Sequence, residues 1–235
     1  MRQEAFTRLW TEDVGLTGLL IILFLETFAI FPFLDSDFSA LIMHLIFLAV
    51  LITGIMAVSR KPRWARVVAM VAVVALGFRY WGHVYPSLMS LIVNMGIRAI
   101  FTAMLIAVIL MHVFKRGPIT PHRIAGSIAV YMLIGIFFGN LYFITESINP
   151  GAFSFGSCEF GGDCHKMLAK LIYFSYITMT SVGFGDIFPT SPLACSISML
   201  EALIGQLFPA VLLARLVSLE IEDSQRRRRT EETDE

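Results

Sequence analysis

Six stretches of about twenty apolar residues, divided by short polar loops, leave this chain few ways to fold. They run over 14–33, 38–58, 67–84, 88–114, 124–145 and 193–219. A helix needs roughly 20 apolar residues to cross the hydrocarbon of a bilayer. With 57% hydrophobic residues and a mean hydropathy of +0.75, a soluble domain of this length would expose far too much apolar surface. The pattern predicts an all-α membrane protein with six transmembrane helices. A seventh apolar run, 168–179, is long enough only to enter the bilayer and stop. The formal net charge is zero, which argues against a nucleic-acid partner. The N-terminal residues lack the short apolar run and small-residue cleavage site of a removable signal peptide.

Charge placement sets the orientation. Arg60, Lys61, Arg63 and Arg66 lie between the second and third runs, and Lys115, Arg116 and Arg123 between the fourth and fifth. Arg226 to Arg229 follow the sixth. The alternate loops are acidic or neutral, with Asp35 and Asp37, then Tyr85 and Pro86, then Glu159 and Asp163 beside Lys166 and Lys170. Lys and Arg collect on the cytoplasmic side of short loops, so both termini are expected inside a plasma (inner) membrane. Cys158 and Cys164 then share an outer loop, as a disulfide or as two free thiols. Cys195 reads as an ordinary buried small residue.

The chain divides into a four-helix block over 1–117, a cytoplasmic linker over 118–123, a second block over 124–219 and a charged cytoplasmic tail over 220–235. One Gly and two Pro around the linker break the helices on either side. Within the second block the short run ends in TSVGFGD, Thr180 to Asp186. Irregular backbone survives at membrane depth only where protein buries it or where it lines a wet cavity. Successive carbonyls of an ordinary strand point to opposite sides. Alternating left- and right-handed dihedrals turn them to one side, and Gly183 and Gly185 take positive φ at little steric cost. The carbonyls of Ser181, Val182, Gly183 and Phe184 can then face one axis, with the Ser181 hydroxyl below them. Four such segments around that axis replace the water of a dehydrated potassium ion. The helix before them ends near Met179, so its partial negative end points at the membrane centre. Tyr173, Phe174 and Tyr176 are expected to form an aromatic collar that receives Phe184. Asp186 is expected to hold the segment from behind.

The stretch Tyr173-Phe174-Ser175-Tyr176-Ile177-Thr178-Met179-Thr180-Ser181-Val182-Gly183-Phe184-Gly185-Asp186 resembles the pore helix and selectivity filter of tetrameric potassium channels. The usual pattern there is TTVGYGD; Ser181 keeps the hydroxyl of Thr, and Phe184 keeps the ring of Tyr but not its hydrogen bond. The resemblance covers about 125–218 well and the first four runs only in number and topology. It implies a homotetramer, potassium ions bound at Ser181, Val182, Gly183, Phe184 and Gly185, filter support from Thr178 and Thr180, and no organic cofactor. It implies a potassium-selective channel gated at the inner helices, each subunit with six spans, a re-entrant pore helix and a filter. The alternatives are a weakly selective cation channel and a potassium transporter subunit, although such subunits resemble four linked repeats with single filter glycines.

Gly205 lies twenty residues past Gly185, which is the spacing of a glycine hinge in the resembled family. It reads equally as a small residue for close helix contact. Pro209 frees a backbone carbonyl and bends the helix. Gln206 is expected toward cavity water and Leu213 toward a narrow inner mouth. Glu201, off that face, is expected behind the filter near Thr178 or Asn140, hydrogen-bonded or protonated, with pH-sensitive gating as the sharper reading.

A voltage-sensing helix needs Arg or Lys at every third position, since one charge yields only about 2.3 kcal/mol per 100 mV. The fourth run carries Arg98 alone, with Met95, Phe101, Met104 and Ala107 at the neighbouring steps. Steep voltage dependence is not expected. Glu26 in the first run and Arg98 reach similar depth from opposite directions, which predicts an ion pair for helix registry or gating. Arg79, Tyr80 and Trp81 read as an interfacial anchor. Arg226 to Arg229 read as a topology signal or as a contact with anionic membrane lipids.

Overall fold

The computed structural model describes residues 17–28, 70–71, 73–74, 76–78, 87–114, 121–155 and 164–234. Helix α1 spans Thr17–Phe28, α2 Leu88–Val113, α3 Pro121–Ile148, α4 Cys164–Met179 and α5 Pro192–Asp234. Two short strands, β1 (Phe153–Ser154) and β2 (Phe188–Pro189), pair antiparallel, with Phe153 opposite Pro189 and Ser154 opposite Phe188. Three described helices are long and apolar enough to cross a membrane, over Leu88–Met111, His122–Ile148 and Pro192–Arg215. The expected spans over 38–58 and most of 67–84 lie outside the described residues, as do Arg79, Tyr80, Trp81 and Cys158.

Local chemistry starts these helices where they start. Ahead of α2, Ser87 Oγ accepts from the amide of Ser90 at 3.1 Å, and Ser90 Oγ accepts from the amide of Ser87 at 3.2 Å. This is a capping box with serine in the place of the usual acid. Ser191 caps α5, its hydroxyl accepting from the Ala194 amide at 3.2 Å, and Pro192 follows at the first helical position. Proline suits that position because its missing N–H would have no intrahelical partner.

Helix α3 begins at Pro121, inside the 118–123 linker, and proline suits the first turn of a helix. Helix α5 continues through the charged tail to Asp234. Glu and Arg are good helix formers, so the helix propagates past the apolar run without needing a core.

Helix α3 is central among the described helices. It packs along α2 on one side and α4 on the other, and α4 in turn packs on α5. Within their most apolar stretches α3 is 72% buried and α5 only 17%. The α5 face bearing Leu200, Leu203, Leu207 and Val211 is therefore exposed in a single chain. An aromatic triangle locks α3, β1 and α4 together, with ring centroids at 5.1 Å for Tyr142–Phe153, 5.2 Å for Tyr142–Phe174 and 5.5 Å for Phe153–Phe174. Such pairs contribute about 0.5–1.5 kcal/mol beyond their area.

Candidate functional site

The loop from Thr180 to Asp186 is anchored at both ends and bare in between. Its entry grows from the end of α4. The Val182 amide donates to the Ile177 carbonyl at 2.9 Å, and the Ser181 amide to the Thr178 carbonyl at 3.0 Å. These are the two bonds of a Schellman motif, in which the residue after the cap adopts the left-handed conformation. That residue is Ser181, with φ 58°. Glycine usually fills such a position, because a Cβ there is strained. Gly183 follows with φ 53° and Gly185 with φ 76°, while Val182 and Phe184 keep negative φ. Residues of positive φ thus alternate with residues of negative φ from Ser181 to Gly185.

The exit is fixed by the outer strands. The Thr190 amide donates to the Ala152 carbonyl at 2.8 Å beside the β1–β2 pair. Behind it, the Glu146 carboxylate accepts from the amides of Gly151 and Phe153, at 2.8 and 2.9 Å. Between these anchors, every residue from Thr180 to Asp186 is exposed in the single chain. Phe184 is 69% exposed, so the collar expected to receive it is not built from its own chain. Phe174 packs away from the loop into the aromatic triangle. Asp186 makes no hydrogen bond among the described residues.

Helix α5 meets the base of the loop at two points. Gln206 Nε2 donates to the Ser181 hydroxyl at 2.6 Å, so this side chain holds the loop rather than standing free. Gly205 abuts the end of α4: a Cβ built on it would lie 2.2 Å from the Met179 carbonyl oxygen. Close contact therefore accounts for this glycine, and α5 runs through Gly205 and Pro209 without interruption. Leu213 is 65% exposed.

Glu201 is buried behind α4, and its hydrogen-bond partners are other residues than Thr178 and Asn140. Its two carboxyl oxygens hydrogen-bond the hydroxyls of Tyr142 on α3 and Ser175 on α4. The Asn140 amide is enclosed with no partner of its own among the described residues, and the Thr178 side chain makes none either. Ser175 and Tyr142 carry no signal in sequence spacing, since three helices bring them together. Thr180 donates its hydroxyl to the Tyr176 carbonyl at 2.7 Å, within its own turn.

Arg98 Nη2 lies 2.7 Å from Glu26 Oε1, with both side chains buried between α1 and α2. Next to Glu26, the Thr27 hydroxyl is 3.2 Å from that of Tyr176. The Tyr176 hydroxyl donates to the Met132 carbonyl at 2.9 Å. Its proton is thereby used, so Thr27 is the donor in their contact. One turn of α1 touches both α2 and the pore helix. Cys195 is half-buried, its thiol 3.7 Å from the Pro189 carbonyl.

A helix that enters and stops, a loop of alternating backbone hand and a long apolar helix after it are the parts of an ion-channel pore. Residues 152–222 match the family model described as Ion channel. The chain is thus an apolar, mostly helical membrane protein whose residues 152–222 are similar to an ion channel domain. Over 86 residues it is 34% identical to Protein LctB of Geobacillus stearothermophilus. Over the same length it is 33% identical to Protein LctB of Bacillus caldotenax. Each alignment takes in 37% of this chain and 62% of the relative. No solved structure matches the chain significantly.

Proposed function

We propose that this protein conducts potassium passively across a plasma membrane as a homotetramer, each copy supplying one loop to a shared filter. The observation that carries the reading is the alternation of backbone hand at Ser181, Gly183 and Gly185. It is the dihedral pattern that lets successive carbonyls turn toward one axis and stand in for hydration water. The exposure of the loop agrees with this, because bare backbone at membrane depth needs protein or a wet pore around it. The exposed apolar face of α5 agrees as well, since neighbouring copies and lipid would cover it. Potassium is substrate here, held at Ser181, Val182, Gly183 and Phe184. Six spans per subunit, with both termini cytoplasmic, follow from the apolar runs and the placement of Lys and Arg.

The loss of the tyrosine hydroxyl at Phe184 is the one departure that favours a second reading, a cation channel that also passes sodium. Liposomes loaded with potassium separate the two. Under the leading reading, purified protein collapses a potassium gradient and leaves an equal sodium gradient standing. Equal loss of both gradients supports the second reading, and loss of neither removes both.

A further inference from the structure

Glu201 is fully enclosed, at 0% exposure, in the layer between α3, α4 and α5. Among the described residues it forms no ion pair. Among the described residues, the titratable groups within electrostatic reach of it are phenols, Tyr131 and Tyr142 from α3 and Tyr176 from α4. Helix α5 itself adds none. Glu26 on α1 acts on Tyr176 and is paired with Arg98. A carboxylate buried without a cation is strongly disfavoured.

Counting protons decides how the site is filled. Three oxygen contacts converge there: Tyr142 with Glu201 Oε2, Ser175 with Glu201 Oε1, and Ser175 with the Gly135 carbonyl at 2.7 Å. The carbonyl can only accept. If Glu201 were ionised, the single Ser175 proton would have to serve two acceptors, and one oxygen pair would face each other without a hydrogen between them. If Glu201 carries a proton on Oε1, it donates to Ser175 Oγ, Ser175 donates to Gly135, and Tyr142 donates to Oε2. Each of these three contacts then holds one proton.

We infer that Glu201 is a proton-binding site, a neutral carboxylic acid that ties α5 to the pore helix behind the filter. The proton is a working part of the join. Ser175 lies on α4 one turn before Met179, whose carbonyl abuts Gly205. When the proton leaves, Glu201 stops donating to Ser175, and a bare charge remains between three packed helices. The α4–α5 join then loosens where the loop is held. Conduction falls as pH rises, a consequence that rests on the channel reading above.

Infrared difference spectroscopy of the full-length protein in lipid tests the site itself, whether or not the protein conducts. The wild type is expected to show the carbonyl stretch of a protonated carboxylic acid at neutral pH. The band is expected to be missing in Glu201→Gln, which keeps the shape and donates to Ser175 through its amide. Tyr142→Phe shifts the band in a chain that retains Glu201, so the assignment stands even if the first variant fails to assemble. Potassium current and band are expected to disappear together on alkalinisation, while the current of Glu201→Gln stays flat. Absence of the band at neutral pH overturns the inference, and so does a band that neither Tyr142→Phe nor alkaline pH alters. A band that titrates as described in a protein without current would instead overturn the channel reading alone.

Discussion

The carbonyl oxygen of Met179, the last residue of the pore helix, fills the space a side chain would need at Gly205. The two helices meet backbone to backbone at this point, where the loop from Thr180 to Asp186 begins. The obstructing atom belongs to a helix end, so it cannot rotate aside as a side chain would. Gly205→Ala is expected to push α5 from α4 at a cost of about 1–3 kcal/mol, the usual range for overpacking. Thermal unfolding of the detergent-solubilised protein should show lower stability together with lost current. A variant as stable and active as wild type would mean that the contact is looser than it stands here.

Gly183 gives the opposite case. A Cβ there would meet nothing within 4 Å in the single chain, so substitution tests backbone hand alone. Alanine in the left-handed region costs about 1–2 kcal/mol. Gly183→Ala is expected to leave folding and membrane insertion intact but to abolish ion flux, because the segment relaxes toward negative φ. Unchanged flux would show that the positive φ of 53° is not needed for conduction.

The Glu26–Arg98 pair is expected to behave as a buried ion pair does. Removing one partner strands the other, at about 3–5 kcal/mol. Arg98→Leu should therefore sharply reduce the yield of assembled protein on size-exclusion chromatography, and Glu26→Leu with Arg98→Leu should recover much of it. Equal yields for the single variant and wild type would refute a stabilising pair.

Thr27 and Tyr176 share one hydrogen bond, so their losses are expected not to add. Tyr176→Phe removes the donor to Met132 and the acceptor for Thr27, at about 1–3 kcal/mol for groups left unpaired. Thr27→Val alone should cost less, and the double variant no more than Tyr176→Phe. Additive losses in a double-mutant cycle would mean that the two residues act independently.

The parts of this architecture written in local chemistry are the parts legible before any coordinates. The apolar runs at 88–114, 124–145 and 193–219 give α2, α3 and α5 by length alone, and the short run gives the end of α4 at Met179. Gly183 and Gly185 announce positive φ because few other residues take it readily. Ser181 gave no such sign; the Schellman motif imposes its left-handed φ through bonds to Ile177 and Thr178. The partners of Glu201 were hidden for a similar reason. Tyr142 and Ser175 come from two other helices, and only their packing angles decide that these hydroxyls, and not Asn140 or Thr178, reach the carboxyl. Gln206 reads from the sequence only as a polar residue turned toward cavity water; its bond to Ser181 depends on the reach of the side chain, which periodicity does not set.

Bilayer recording of the purified protein, with potassium chloride on one side and sodium chloride at equal concentration on the other, tests the central claim most directly. Four inward-facing loops that replace potassium hydration predict single-channel steps whose current reverses only at a large voltage opposing potassium flow. A current that reverses with no applied voltage, or a membrane that stays silent across the voltage range, would contradict the account.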